Sequence, residues 1–295
     1  MPDGSRTGSV ADMTSVLLGL LAALGWGLAD FAARFSGRAL GSVAALAGVA
    51  VAGSAALTLW LLTAGDGLPL TSWPSPWALA YGGFGLAGML GLYECLRRGP
   101  VTVVVPLVDT FPAWALALMV AFGGVRPGPA EWAAMAAVMA GVWLVARHAP
   151  EDRTSVRPSR STIVLALASG AAFGAALNCG TLAAPVHGEV ETVWIARSLA
   201  ALVLVPVVVR RGEWRVPPRW AALVAVQGLL DTLGLLALLW AGAGEAAADA
   251  TVVASTFGII TFLLARFILK EAVTPPQWLG VALSFGGVAV LAGLG

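Results

Sequence analysis

The chain has 295 residues, of which 59% are hydrophobic and 11% charged, and its mean hydropathy is +0.87. A soluble domain of this size carries about a quarter charged residues to cover its surface, so this composition specifies an integral membrane protein. The net charge of +1, with basic residues spread along the chain, gives no nucleic-acid signal, and two cysteines, Cys95 and Cys179, exclude a disulfide scaffold or a cysteine metal cluster.

A helix needs about 20 apolar residues to cross a hydrocarbon core of ~30 Å. In chain order the predicted spans run from Met13 to Arg34, Ser42 to Ala64, Trp77 to Leu96, Val101 to Phe122 and Glu131 to Ala146. Five more follow, at Thr162 to Ala183, Thr192 to Val209, Trp220 to Trp240, Ala250 to Leu269 and Pro276 to Leu294. The first span ends on Asp30 and Arg34 without a separate cleavage region, so it reads as a helix and not as a cleavable signal peptide.

The longest hydrophilic stretch, Arg147 to Ser161, divides the ten spans into two sets of five. The halves look alike. The segment beginning at Trp132 aligns with the one beginning at Trp278 and superposes Gly141 on Gly287, 146 positions on. Gly27 recurs as Gly174, and Trp77, Gly85 and Gly91 recur as Trp220, Gly228 and Gly234 at a spacing of 143. The organisation expected is a tail at 1–12, a first repeat at 13–147, a linker at 148–161 and a second repeat at 162–295. Because five is odd, the second copy enters the membrane from the opposite side, the inverted-topology arrangement of secondary transporters.

Orientation follows from the basic residues. The loops after spans 1, 3, 5, 7 and 9 hold 14 of the 17 Lys and Arg, against only Arg6 and Arg126 on the other side and Arg197 within a span. That bias predicts that the Arg-rich side is cytoplasmic and both termini are extracytoplasmic, in the cell (inner or plasma) membrane.

The segment LLARFILKEAVTPPQWLGVALSFGGVAVLAG, from Leu263 to Gly293, resembles the end of an EamA-type repeat of the drug/metabolite transporter superfamily, with Glu271, Thr274, Pro275, Gln277, Gly280 and Gly287 at the matching positions. The first half is similar at ALGWGLADFAARFSGR (Ala23 to Arg38) and at VPLVDTFPAW (Val105 to Trp114). The resemblance covers nearly the whole chain. It implies an all-α membrane protein of ten transmembrane helices around a central cavity, and transport of small organic metabolites, often outward. Two positions depart from the family pattern: Val125 replaces the Glu that closes a repeat, and Phe173 stands at the position equivalent to Trp26. The family is also drawn with cytoplasmic termini, against the Arg count.

An ionised side chain at the bilayer centre costs on the order of 3 kcal/mol, so each one retained there needs an interior partner or a wet cavity. Five stand out: Asp30, Glu94, Asp109, Arg197 and Asp231. Asp231 falls near mid-depth, with Gln227 four residues earlier on the same helical face. Asp109 lies between Pro106 and Pro112, where a broken helix is tolerated only if packed or lining a cavity. Arg197 either pairs with one of the acids or binds an anion. Trp26 and Asp30 share a face and point into one pocket, unless Trp26 merely packs. Glu94 either serves transport or pairs with Arg97 or Arg98 at the rim.

Other features read as structure. Gly82, Gly85, Gly88 and Gly91 form a smooth strip, His148 and His187 lie in loops, and Glu271 caps the last helix. With no H-E-x-x-H, no G-x-S-x-G and no metal-ligand cluster, an embedded enzyme is disfavoured and no catalytic residue, metal or cofactor is expected. A receptor-like or structural protein leaves the repeat and the intramembrane acids unexplained. Four acids against one Arg cannot all stay ionised in a dry interior, so some hold protons or meet a cation. The expected function is a proton-coupled exporter of small organic metabolites or amino acids in the lipid bilayer. In it, Asp231 or Asp109 exchanges a proton for a cationic substrate. Uniport of neutral or zwitterionic metabolites is the alternative, with Trp26 and Trp114 as walls and Asn178 and Gln227 as hydrogen-bonding groups.

Overall fold

The structure, a computed structural model, describes residues 5–64, 67–68, 73–123, 126–148, 158–240, 250 and 253–294. Val125, residues 1–4 of the tail and residues 149–157 of the linker lie outside the described residues. Among the described residues every regular element is a helix. The first half contains α1 (Ser5–Leu40), α2 (Ser42–Thr63), α3 (Pro76–Arg98), α4 (Val101–Val108), α5 (Phe111–Phe122) and α6 (Pro129–Arg147). The second contains α7 (Arg160–His187), α8 (Glu189–Arg210), α9 (Pro218–Trp240), α10 (Phe257–Phe267) and α11 (Pro275–Leu294).

Local chemistry sets the boundaries. Gly41, at φ 80, makes the tight link from α1 to α2, a left-handed conformation that a side chain disfavours. Ser75 and Ser159 cap α3 and α7 by accepting from the amides of Ala78 and Thr162, each at 3.2 Å. Eight segments are long and apolar enough to cross a membrane, α4 and α5 together forming one of them, Val101–Phe122. Two shorter apolar helices occupy the ninth and tenth predicted spans.

Two spans expected to be continuous are broken. The fourth stops at Asp109 and Thr110, because Pro112 has no amide to donate to the carbonyl of Val108. The ninth, expected from Ala250 to Leu269, turns at Ser255 and Thr256, and α10 starts only at Phe257. No proline marks that second break. Thr110 and Thr256 have nearly the same backbone angles (φ −71, ψ 0 and φ −80, ψ 0), and each hydroxyl donates back to the carbonyl three residues earlier at 2.7 Å. A threonine satisfying the preceding turn with its own side chain offers the backbone an alternative to continuing the helix.

The two halves form no separate cores. Helix α1 packs on α9 as α7 packs on α3; α1 packs on α10 as α7 packs on α5; and α2 meets α8 while α6 meets α11. Each contact has its counterpart when the halves are exchanged, which is the signature of a pseudo-twofold axis. Glycines make the close approaches. A Cβ on Gly280 would lie 2.7 Å from the carbonyl oxygen of Gly141, and one on Gly287 would lie 2.8 Å from that of Ala134.

The same contacts correct the register between α3 and α9. A Cβ on Gly88 would strike Phe173, and one on Gly234 would strike Trp26; Gly82 abuts Ala196 on α8, and Gly228 abuts Ala52 on α2. These pairs lie 146 positions apart, not 143. The glycine strip repeats every third residue, so matching glycine to glycine by sequence is ambiguous by three positions, and packing partners decide the register.

The outward surface is aliphatic, with Leu59 at 64% and Leu202 at 73% exposure, as in a protein solvated by lipid. The polar groups are gathered inside.

Candidate functional site

A cavity of about 300 Å³ lies where the two helix breaks face each other. Phe111 and Phe257, 146 positions apart and each the first residue of its helix, meet with ring centroids 6.5 Å apart. Trp26 packs edge-on against Phe257 at 5.8 Å, and Phe173 packs against Phe111 at 6.5 Å. The four rings form a continuous aromatic wall related by the pseudo-twofold axis. Tyr81 and Met89 from α3 complete much of the opposite side.

Into this apolar chamber project four charged side chains, Asp30, Asp109, Arg197 and Asp231. Arg197 Nη2 donates to Asp231 Oδ2 in a charge-assisted ion pair. Trp26 Nε1 donates to the Asp231 backbone carbonyl at 3.1 Å, which fixes the indole against α9. Asp30 lines the same cavity as Asp231 and Asp109, so three acids share it with one arginine. Asp109 is 6% exposed and its Oδ2 has no hydrogen-bond partner. Among the described residues no ion pair forms to Asp30 or Asp109, whereas Arg197 already answers Asp231. A buried carboxylate left in this condition carries a desolvation cost until a proton or a cation meets it.

Of the eight residues expected to serve binding, Trp26, Asp30, Asp109, Arg197 and Asp231 line the cavity. The other three are engaged elsewhere. Glu94 accepts from Ser42 at 2.6 Å, from Arg97 at 2.6 and 2.9 Å and from Arg98 at 2.5 Å, tying the start of α2 to the end of α3. Asn178 donates to the Ala115 carbonyl at 3.0 Å and fastens α7 to α5. Gln227 is fully buried and donates at 3.1 Å to the Ala29 carbonyl and the Tyr93 hydroxyl, so it points to α1 and α3 although Asp231 follows it by one turn. Trp114 packs over Gly174 instead of walling the cavity.

Glu271 also has another role than the one expected. It caps α4 of the first half, not the last helix, by accepting from the amides of Val101 and Thr102 at 3.1 and 2.9 Å and from the Thr102 hydroxyl at 2.8 Å. Arg34 closes the group at 2.9 Å. Phe111, Phe257 and Tyr81 were not singled out by the sequence, although the 146-residue spacing of the two phenylalanines was a usable signal.

The family model for the EamA-like transporter family matches twice, over residues 13–147 and 160–293. The chain belongs to the EamA-like transporter family. An uncharacterised transporter of Bacillus subtilis (strain 168), YwfM, is 27% identical over 168 residues, which is 56% of this chain and 55% of that protein. The probable 4-amino-4-deoxy-L-arabinose-phosphoundecaprenol flippase subunit ArnE of Pseudomonas fluorescens (strain Pf0-1) is 41% identical over 80 residues, 27% of this chain and 65% of the relative. The matched regions thus span 55% and 65% of the length of these two relatives. A solved crystal structure superposes with a TM-score of 0.62 at 19% identity over 94% of each chain, which supports the fold. The EamA-like protein is accordingly a multi-pass membrane protein of a transporter family.

Proposed function

We propose that this EamA-like protein is a secondary exporter of small organic cations, working by exchange against protons at Asp109 and Asp30. The observation that carries this is Asp109, a carboxylate on the wall of an aromatic-lined cavity whose Oδ2 is buried against Gly258 without a hydrogen-bond partner. Asp231 lies near mid-depth as well, but Arg197 already answers its charge, which favours Asp109 and Asp30 for the exchanging role. An amine placed between them neutralises a carboxylate and lies against Trp26, Phe111 and Phe257, a setting in which cation–π attraction adds to the ionic one. When the cation leaves, a proton takes its place. The 4-amino group in the name of the ArnE relative fits the same chemistry.

The architecture that supports this reading is ten crossings in two oppositely oriented sets of five, with α4 plus α5 as one crossing and α10 completing the ninth. The Arg-rich loops favour a cytoplasmic location for that end, with the termini outside. A C-terminal reporter fusion active only in the cytoplasm would overturn that orientation.

A zwitterionic substrate is the second reading, favoured by the Arg197–Asp231 pair, since its two charges are able to exchange partners with an amino acid. Efflux screening with a panel of amines, amino acids and neutral metabolites separates the two, in cells producing wild type, Asp109→Asn or Arg197→Gln. Amine export lost in Asp109→Asn and retained in part by Arg197→Gln supports the cation reading. Amino-acid export abolished by Arg197→Gln supports the zwitterion reading.

A further inference from the structure

Helix α4 is held at both of its ends by the region around α10. Every residue from Val101 to Thr110, the break included, is buried. At its start, Glu271, four residues past the end of α10, accepts both leading amides and the Thr102 hydroxyl. Arg34 joins there, donating to Glu271 at 2.9 Å and to the Gly99 carbonyl at 3.1 Å, so α1, the α3–α4 turn and the α10–α11 turn meet at one junction. A carboxylate at a helix N-terminus is held by the dipole as well as by the amides. At the other end, Asp109 lies against Gly258 in the first turn of α10. A Cβ at Gly258 would fall on the Asp109 carboxylate and 2.7 Å from Phe285. The absence of a side chain there is therefore a condition for the position of Asp109. The two helices run antiparallel, α4 ending where α10 begins, and the two holding points are separated by the length of α4, roughly 12 Å.

We propose that α4 mechanically couples the cavity to the Arg-rich end of the protein. Gly258 positions Asp109 at one end of the helix, and the Arg34–Glu271 junction is the gate at the other, opened and closed in each transport cycle. A short, wholly buried helix has no room to bend, so displacing its cavity end moves its start, where the amides lie on Glu271. The repeat supplies this junction once. Val125, 146 positions before Glu271, has no side-chain oxygen to accept an amide. The inference rests on Asp109 being a cavity carboxylate that meets ligands, but its test needs no substrate, so failure of the transport reading and failure of the coupling are distinguishable.

The two native cysteines report on opposite ends. Cys95 is fully buried in the last turn of α3, four residues before the Gly99 whose carbonyl Arg34 takes, with its thiol on the Thr162 carbonyl at 3.5 Å, and Cys179 lies in the last third of α7, toward the other end. The full chain in lipid nanodiscs is treated with N-ethylmaleimide, and alkylation of each cysteine is followed by peptide mass spectrometry. Gly258→Ala, at the far end of α10, is expected to raise the Cys95 rate about tenfold without raising that of Cys179, because the gate opens more often. The double variant Gly258→Ala/Asp109→Ala, which removes the clash with the carboxylate and leaves only the edge of the Phe285 ring to shift, is expected to return Cys95 to within about twofold of wild type. Arg34→Ala should raise Cys95 labelling too, and Arg34→Lys should not. Where Arg34→Ala is not recovered folded, the Gly258→Ala pair decides alone. A wild-type Cys95 rate in Gly258→Ala overturns the coupling, as does a raised rate that persists in the double variant.

Discussion

Asp109 and Glu271 sit at opposite ends of the same buried helix, and both carboxylates are nearly inaccessible, at 6% and 2% exposure. Glu271 is saturated: an arginine, two amides and a hydroxyl converge on it. Asp109 keeps an oxygen with no partner and faces the cavity. Burial alone therefore does not separate an acid that holds the protein's own groups from one that can meet a ligand. The state of their hydrogen-bonding capacity does, because a satisfied carboxylate has nothing left to offer a ligand, whereas an unsatisfied one is stabilised by whatever cation or proton reaches it.

The contrast can be broken by mutation, and four expected effects fall in descending order. Glu271→Ala strands Arg34 and two amides at a buried position, and a loss of about 3–5 kcal/mol is expected, read as a large drop in thermal midpoint in detergent. Gly141→Ala should cost about 1–3 kcal/mol, because its Cβ falls on Ser284 and on the Gly280 carbonyl, while Gly83→Ala, facing open space, should be neutral in the same assay. Asp109→Asn is expected to leave the midpoint unchanged or raise it by up to ~1 kcal/mol equivalent, since it removes a charge that nothing answers, while export falls away. Glu94→Gln should have the smallest effect, under about 1 kcal/mol, since its two arginines are 44% and 45% exposed and solvent screens them. If Glu271→Ala and Asp109→Asn shifted stability by the same amount in the same direction, the distinction between the two carboxylates would collapse.

Membrane character, the ends of most helices and the duplication were readable from the sequence because they rest on composition and on side chains of the same stretch. Asp109 was found through Pro106 and Pro112, a local signal. The matching break at Thr256 was hidden because it depends on a threonine hydroxyl bonding to Val253, which has no distinctive sequence pattern. Glu94 and Asn178 drew attention as polar residues in apolar runs. Their partners, Ser42 and the Ala115 carbonyl, lie 52 and 63 residues away and become visible only in the packed chain. The repeat explains where the cavity is and not what it binds. The positions 146 before Asp231 and after Asp109 are Gly85 and Ser255, so the duplicated framework carries charges that are not duplicated.

The most direct test of the central claim is proton movement by purified protein in proteoliposomes holding a pH gradient and a pH-sensitive dye. Addition of a transported amine to wild type should dissipate the gradient, and Asp109→Asn should leave it intact although the variant is folded. Amine transport by wild type with no proton movement, at the same rate in Asp109→Asn, would contradict the proposed exchange.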